Sequence, residues 1–222
     1  MIAQELACLA PSRICSLNLV STAAVLENTT TWTEHMASRA RVLLPKTPDQ
    51  SVRSTAESCF AHAWLRAPDD AEVPDAATTP RCRFPASGSW GGGGGGGGYR
   101  KFRNNYSRFA AQDIAKQRDP AGGFTTLGFL LQALAVVSHR KSPEQLRTLV
   151  ADPVGRDRIL VLHGAEDGMI QPPHGRHLIE ILQPARALVV DGVGHAPFVE
   201  RTAWFNDLLE ESCASGEKLS GR

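Results

Sequence analysis

Charge of one sign is the first thing this sequence lacks. Lys and Arg total 24 against 23 Asp and Glu, a formal net charge of +1 over 222 residues. No long-range field therefore favours nucleic acid or an anionic membrane surface, and neither is expected as a partner. No stretch approaches the roughly 18 to 20 apolar residues of a membrane span, so none is expected. The five cysteines, Cys8, Cys15, Cys59, Cys82 and Cys213, form no C-x-x-C pair, and an odd count without regular spacing does not build a closed disulfide framework. Reduced thiols in a cytoplasmic protein are the expectation. A secretory leader is not legible either. The start has no basic n-region, and Glu5, Pro11 and Arg13 interrupt its apolar run. The sequons Asn28-Thr29-Thr30 and Asn105-Tyr106-Ser107 matter only in a secreted chain.

Ligand sets for metals and phosphates are missing too. His174 and His177 share a face of an expected helix, but no third ligand completes a zinc set, so they read as surface residues and no metal or cofactor is expected. The run Gly91–Gly98 is followed by Tyr99, Arg100 and Lys101 and has no apolar strand before it, which excludes a phosphate-binding loop. Cys82, between Arg81 and Arg83, has neighbours that lower a thiol pKa in principle, but it sits in an expected disordered insert and reads as incidental.

What is present is helix and strand in alternation. Ile2, Leu6 and Leu9 mark an amphipathic helix closed by Pro11, and Ile14 opens "ICSLNLVST", a buried strand running to about Val20. Trp32, Met36, Ala40 and Leu43 predict a helix, and Thr47-Pro48-Asp49-Gln50 caps another that carries Val52, Ala56, Phe60 and Trp64 on one stripe. From Pro68 to Gly98 the composition turns to Pro, Ala, Thr and Gly, a flexible insert. Beyond it "NNYSRFAAQDIAKQRDP" reads as a helix. "TTLGFLLQALAVVSH" is apolar almost all round and is expected to be covered on several sides, and Ser142, Pro143 and Gln145 open a further capped helix. The last third alternates strand Arg158–Leu162, helix His174–Leu182, strand Ala187–Val190 and helix Arg201–Leu209. That grammar implies parallel pairing through right-handed crossovers.

Two residues carry the candidate chemistry. Asp167 in "ILVLHGAEDGMI" and His195 in "ALVVDGVGHAPFVE" each stand just past an apolar strand, where an acid can orient a base reaching over from the next loop. His163 and His139, at element ends, read as packing residues. With these motifs the sequence resembles the α/β-hydrolase superfamily, esterase- and lipase-like serine hydrolases whose triad runs nucleophile, acid, histidine in chain order. The resemblance spans roughly residues 1–25 and 105–210, with Asp167 at the acid position and His195 at the histidine position. "MIAQELACLAPSRICSLNLVSTAA" is similar to the helix after a Gly-x-Ser-x-Gly nucleophile elbow and the strand that follows it. The resemblance therefore implies an internal Met1, about four residues past the serine. "SGSWG" does not replace that elbow, because Ser87 stands where Ser89 would need a glycine and no strand precedes it.

The resulting expectation is an incomplete α/β-hydrolase fold: a small parallel sheet, a helical cap insertion and a disordered Gly/Pro-rich segment. Its parts are core residues 1–29, cap residues 30–150 with the insert at 68–100, core residues 151–212 with the acid and histidine, and a tail at 213–222. The expected function is that of an ester or acyl hydrolase lineage, inactive as given because the nucleophile is absent from this chain, with a small acyl or ester substrate in the complete relative. The upstream reading frame is expected to encode the elbow. Alternatives are an epoxide hydrolase or dehalogenase lineage, whose acid and histidine stand in the same places, and a noncatalytic interaction module. Self-association is expected through the exposed edge of the first strand.

Overall fold

A computed structural model describes residues 1–26, 47–69, 71, 101–118 and 125–221. The helix expected around Trp32–Leu43, Cys82, Ser89 and the glycine run lie outside them. Three strands, β1 (Leu17–Val20), β2 (Ile159–Gly164) and β3 (Arg186–Val190), form one parallel sheet in the order β1-β2-β3. Leu17 pairs with Ile159, and Leu160 with Arg186. The fold is mixed α/β, as expected. β1 is shorter than the sequence suggests, because Cys15 and Ser16 are occupied elsewhere. Gly216 of the last helix packs closely on the Cys15–Ser16 backbone, and Ser16 Oγ lies 3.8 Å from Cys213 Sγ.

Both faces of the sheet are covered, which explains why all six residues of β2 are buried. On one face Leu17, Leu19, Ile159 and Val161 pack against Ala7 of α1 (Ile2–Leu9), Leu146 of a short helix, and Leu178 and Leu182 of the helix between β2 and β3. On the other, Leu160 and Leu162 meet Phe205 and Leu208 of the C-terminal helix. β1 lies at the edge of the sheet among the described residues.

Local chemistry sets the helix starts. Thr47 and Gln50 exchange hydrogen bonds in a capping box that opens α2 (Pro48–Cys59), with Pro48 in its first turn. α3 (His62–Arg66) and α4 (Asn105–Arg118) follow it. α5 (Thr126–Ser138) is capped by Thr125, and α6 (Pro143–Thr148) by a Ser142/Gln145 box. Then come α7 (Pro172–Leu182), α8 (Pro197–Glu200) and α9 (Thr202–Leu219). α9 runs about ten residues past the expected Leu209 end, to Leu219, through most of the segment 213–222.

Two differences from the expected helices have clear causes. Phe60 and Trp64 do not continue the stripe of α2. Phe60 is extended (φ −132°, ψ 150°) and the chain re-enters a helix only at His62. The last carbonyls of α2 have been taken: Ser58 O accepts from Gly168 N at 3.1 Å and Cys59 O from His195 N at 2.7 Å. Those are the orphan acceptors of a helix end, satisfied here by two loops at the end of the sheet. Phe60 instead stacks on Trp64 at 4.8 Å and meets Phe109 of α4 edge-on at 5.1 Å, in a cluster that includes Ala196.

The second difference is α5. The sequence calls for cover on several sides, yet Leu127, Leu130, Leu131, Leu134 and Val137 are all more than half exposed. Only Ala133 and Val136 among its described side chains are half-buried.

The start of the Pro/Gly insert is pinned to the chain that follows it. Buried Asp69 accepts from Phe102 N at 2.8 Å and from Ala71 N at 3.1 Å, and pairs with Arg108 Nε at 3.0 Å. Arg108 also lies over the Trp64 ring, 5.5 Å from its centroid.

Candidate active site at the carboxyl edge of the sheet

The loops leaving β2 and β3 meet above the sheet because their strands are parallel neighbours. Ala165 N donates to Val190 O and Glu166 N to Val193 O, each at 2.9 Å, so the two loops are stitched together by backbone. Gly164 and Gly194 make this approach possible. A β-carbon on Gly164 would collide with the carbonyls of Val193 and Gly194, and one on Gly194 would lie 2.6 Å from Cys59 O.

The structure brings Asp167 and His195 together. Asp167 Oδ2 lies 2.8 Å from His195 Nδ1, while Oδ1 accepts from Met169 N at 2.9 Å and Ile170 N at 2.8 Å. The carboxyl is 3% exposed. Burial alone would raise its pKa. Hydrogen bonds from His163 and His195, the charge of His195 and the Ile170 N–H outweigh burial and hold it down at about 2. Asp167 is therefore a carboxylate at neutral pH and can only accept. The shared hydrogen belongs to His195 Nδ1, which leaves Nε2 of the neutral ring with a lone pair. Nε2 has no hydrogen-bond partner among the described residues.

His163 contributes more than packing. Its Nε2 lies 2.7 Å from Ile170 O and 3.3 Å from Asp167 Oδ2, two acceptors, so this nitrogen carries the hydrogen. Its Nδ1 is buried without a partner, pressed against Gly175 of α7. The ring thus holds both the carboxylate and the turn that follows it. The signal available in the sequence was its place four residues before Asp167 at a strand end.

Glu200 is the residue that sequence reasoning missed. Buried at 7% exposure, it accepts from Gly194 N at 2.8 Å and from Ala61 N at 3.3 Å, tying the histidine loop to the chain between α2 and α3. Burial raises its pKa to about 7, against the opposing Gly194 and Ala61 hydrogen bonds. Its position five residues after His195 was the only hint. Cys59, beside the same loop, has its thiol pushed up to about 11, by burial first and then by nearby Asp167, so it is protonated and a weak nucleophile.

Of the other histidines, His139 is buried, 3.1 Å from Gln4 Oε1 and 3.3 Å from Glu5 Oε1, away from the Asp167 pair. His177 lies exposed on α7, 3.8 Å from Glu180. Among the described residues no group of three or more His, Cys, Asp or Glu is placed to hold a metal ion, and no helix is long and apolar enough to cross a membrane.

Ser21, just past β1, is the strained residue beside these loops. It has φ +44°, is buried, and its Oγ has no partner, while its N–H donates to Leu162 O at 2.9 Å. A left-handed conformation costs a residue with a β-carbon about 1–2 kcal/mol, and glycine returns part of that through its freer unfolded state. Ser21→Gly is expected to stabilise the chain by about 1 kcal/mol, read as a higher urea midpoint at unchanged slope. A lower midpoint would mean that contacts of the side chain outweigh the strain.

No family model matches the sequence, and no curated protein matches it. Solved structures do match the fold. The structure of Rv0554 from Mycobacterium tuberculosis aligns at 18% identity and a TM-score of 0.56, over 96% of this chain and 61% of that one. The putative non-heme bromoperoxidase BpoC from M. tuberculosis H37Rv aligns at 20% identity and a TM-score of 0.57, over 97% of this chain and 63% of that one. The chain thus spans a little over three-fifths of the length of these two structures. At such identities the likeness concerns the fold alone, a mixed α/β architecture with three parallel strands among the described residues, consistent with an α/β-hydrolase-like one.

Proposed function

We propose that Asp167 and His195 are the acid and base of an ester- or acyl-hydrolase lineage. The supporting observation is the pair itself: a carboxylate fixed by two backbone N–H groups and His163, bonded to His195 Nδ1, with Nε2 left as an unpartnered base. In such chemistry His195 Nε2 takes the proton of a nucleophilic hydroxyl as that oxygen attacks the acyl carbon, then returns it to the leaving group. Asp167 orients the ring and stabilises its charged form. No hydroxyl or thiol among the described residues hydrogen-bonds Nε2. No nucleophile is therefore assigned among the described residues.

The test is labelling with a fluorophosphonate probe together with p-nitrophenyl ester turnover. Residues 1–222 alone are expected to show neither above background. A protein in which a Gly-x-Ser-x-Gly elbow is joined ahead of Met1 should show both, with turnover falling about 10³-fold or more in His195→Ala. Labelling of residues 1–222 that one Ser→Ala change abolishes would place the nucleophile inside this chain. Full turnover in His195→Ala would overturn the assignment of the base. One observation favours a second reading, a noncatalytic interaction module on a hydrolase scaffold: the exposed apolar surface of α5.

A further inference from the structure

The acid and the base of the site are held in different ways. Asp167 is fixed through its own side chain, which accepts from Met169 N, Ile170 N and His163 besides His195. The His195 ring has no such set of partners. Among the described residues it bonds Asp167 alone, so its placement is decided by its own backbone. A displacement of about 1 Å would take the 2.8 Å contact between Nδ1 and Oδ2 beyond hydrogen-bond range.

Two consecutive amides of that backbone are held from outside the sheet. Gly194 N donates to Glu200 Oε1 at 2.8 Å, and His195 N to the carbonyl of Cys59, the last residue of α2, at 2.7 Å. The approach is close, since a β-carbon on Gly194 would lie 2.7 Å from Phe60 Cα. Glu200 completes the arrangement with its second oxygen, which accepts from Ala61 N at 3.3 Å. Ala61 is two residues past the end of α2, so one carboxyl bridges the histidine loop and the chain leaving that helix. These two N–H groups are the only hydrogen-bond partners of the carboxyl among the described residues, and burial raises its pKa. An acid buried without a cation is costly to keep. What it supplies is two acceptor oxygens, where an amide supplies one.

We infer that Glu200 is a positioning residue for His195: by bridging Gly194 N and Ala61 N it holds the histidine loop against the end of α2, in the placement from which Nδ1 reaches Asp167. The inference rests on the reading of Asp167 and His195 as acid and base. Glu200 itself touches no reacting atom. Without the bridge, Cys59 O is left as the one acceptor holding this pair of amides, and the loop can pivot about that single bond. The ring then leaves Asp167, while Asp167 stays where its own partners keep it. A general base loses its orienting acid in this way with neither residue changed.

Nuclear magnetic resonance of residues 1–222 carrying isotope-labelled histidine tests the inference without a nucleophile. The Nδ1 proton of His195, bonded to a buried carboxylate, should resonate far downfield of the amides; it is assigned as the signal that His195→Gln removes, and Asp167→Asn should shift it upfield. The expected result is that Glu200→Ala abolishes this signal. Glu200→Gln keeps one of the two bonds, so the proton should remain visible but exchange with solvent about 10-fold faster or more. Leu146→Ala is the control, a cavity in the cluster around Ala7 and Leu17 that should lower the thermal midpoint and leave the signal in place. If Glu200→Ala behaves like Leu146→Ala, its role is structural and the inference is overturned. Unfolding of both Glu200 variants overturns it as well, because the loss then belongs to the whole fold. A wild-type protein without the downfield proton, or with one indifferent to Asp167→Asn, would sink the acid and base reading itself. A proton that responds to Asp167 but not to Glu200 would sink this inference alone.

Discussion

Gly164→Ala is expected to destabilise the chain by about 4 kcal/mol, the upper end for one added methyl group, and to leave much of it unfolded or aggregated. The β-carbon would enter the backbone of the histidine loop, colliding with the carbonyls of Val193 and Gly194 and reaching 2.8 Å from Val193 C. Neither side can give way cheaply. The Asp167 loop is fixed to its neighbour by Ala165 N–Val190 O and Glu166 N–Val193 O, and the histidine loop by Gly194 N–Glu200 and His195 N–Cys59 O. Moving either breaks hydrogen bonds of buried groups. Gly192→Ala is the comparison. Gly192 has φ +67° but only the far end of Arg201 nearby, so it should cost no more than about 1–2 kcal/mol, the left-handed penalty alone. Urea denaturation of both variants measures the contrast, and a Gly164→Ala protein as stable as Gly192→Ala would show that the loops do not meet as described.

The second large effect is pH dependence through Glu200. Its pKa in the fold, about 7, lies above its ordinary value of 4.5, chiefly because burial disfavours the charge. The folded chain then holds a proton that the unfolded chain has released between those pH values. The stabilisation is fully present below about pH 4.5 and is lost as pH rises through 7. It amounts to about 3 kcal/mol if the whole shift is realised. Glu200→Gln cannot titrate, and its amide cannot accept from both Gly194 N and Ala61 N. It should therefore be less stable than the wild type at pH 5, by a margin that narrows steadily towards pH 8.5. Parallel stability curves for the two proteins across that range would sink the prediction. Asp167 has the opposite sign. Despite its burial, its bonds to His163 and His195 depress its pKa, so its contribution of about 2 kcal/mol is present above pH 4 and lost as pH falls through 2.

The parts of the site that could be read in the sequence are those that obey local rules. Asp167 and His195 follow apolar runs that can only be buried strands, and a strand end followed by Gly, Asp or Pro must be a loop. The boxes at Thr47/Gln50 and Ser142/Gln145 were legible because a capping box is closed by residues three apart. His163 and Glu200 were not, because the atoms they bond, the Asp167 carboxylate and the Ala61 and Gly194 N–H groups, become their neighbours only once loops have docked.

By itself, then, the sequence determined the alternating α/β order, the capped helix starts at Pro48 and Pro143 and the placing of Asp167 and His195 just past consecutive strands, since periodicity and capping act within one or two turns. Only the tertiary structure decided the rest. It ended α2 at Cys59, because the Ser58 and Cys59 carbonyls found better donors in Gly168 and His195. It turned His163 onto Asp167 and left Nε2 of His195 without a hydrogen-bond partner among the described residues. It also left five apolar side chains of α5 more than half exposed. An apolar helix encodes that it should be covered, but what covers it depends on which surfaces lie within reach once the chain has folded.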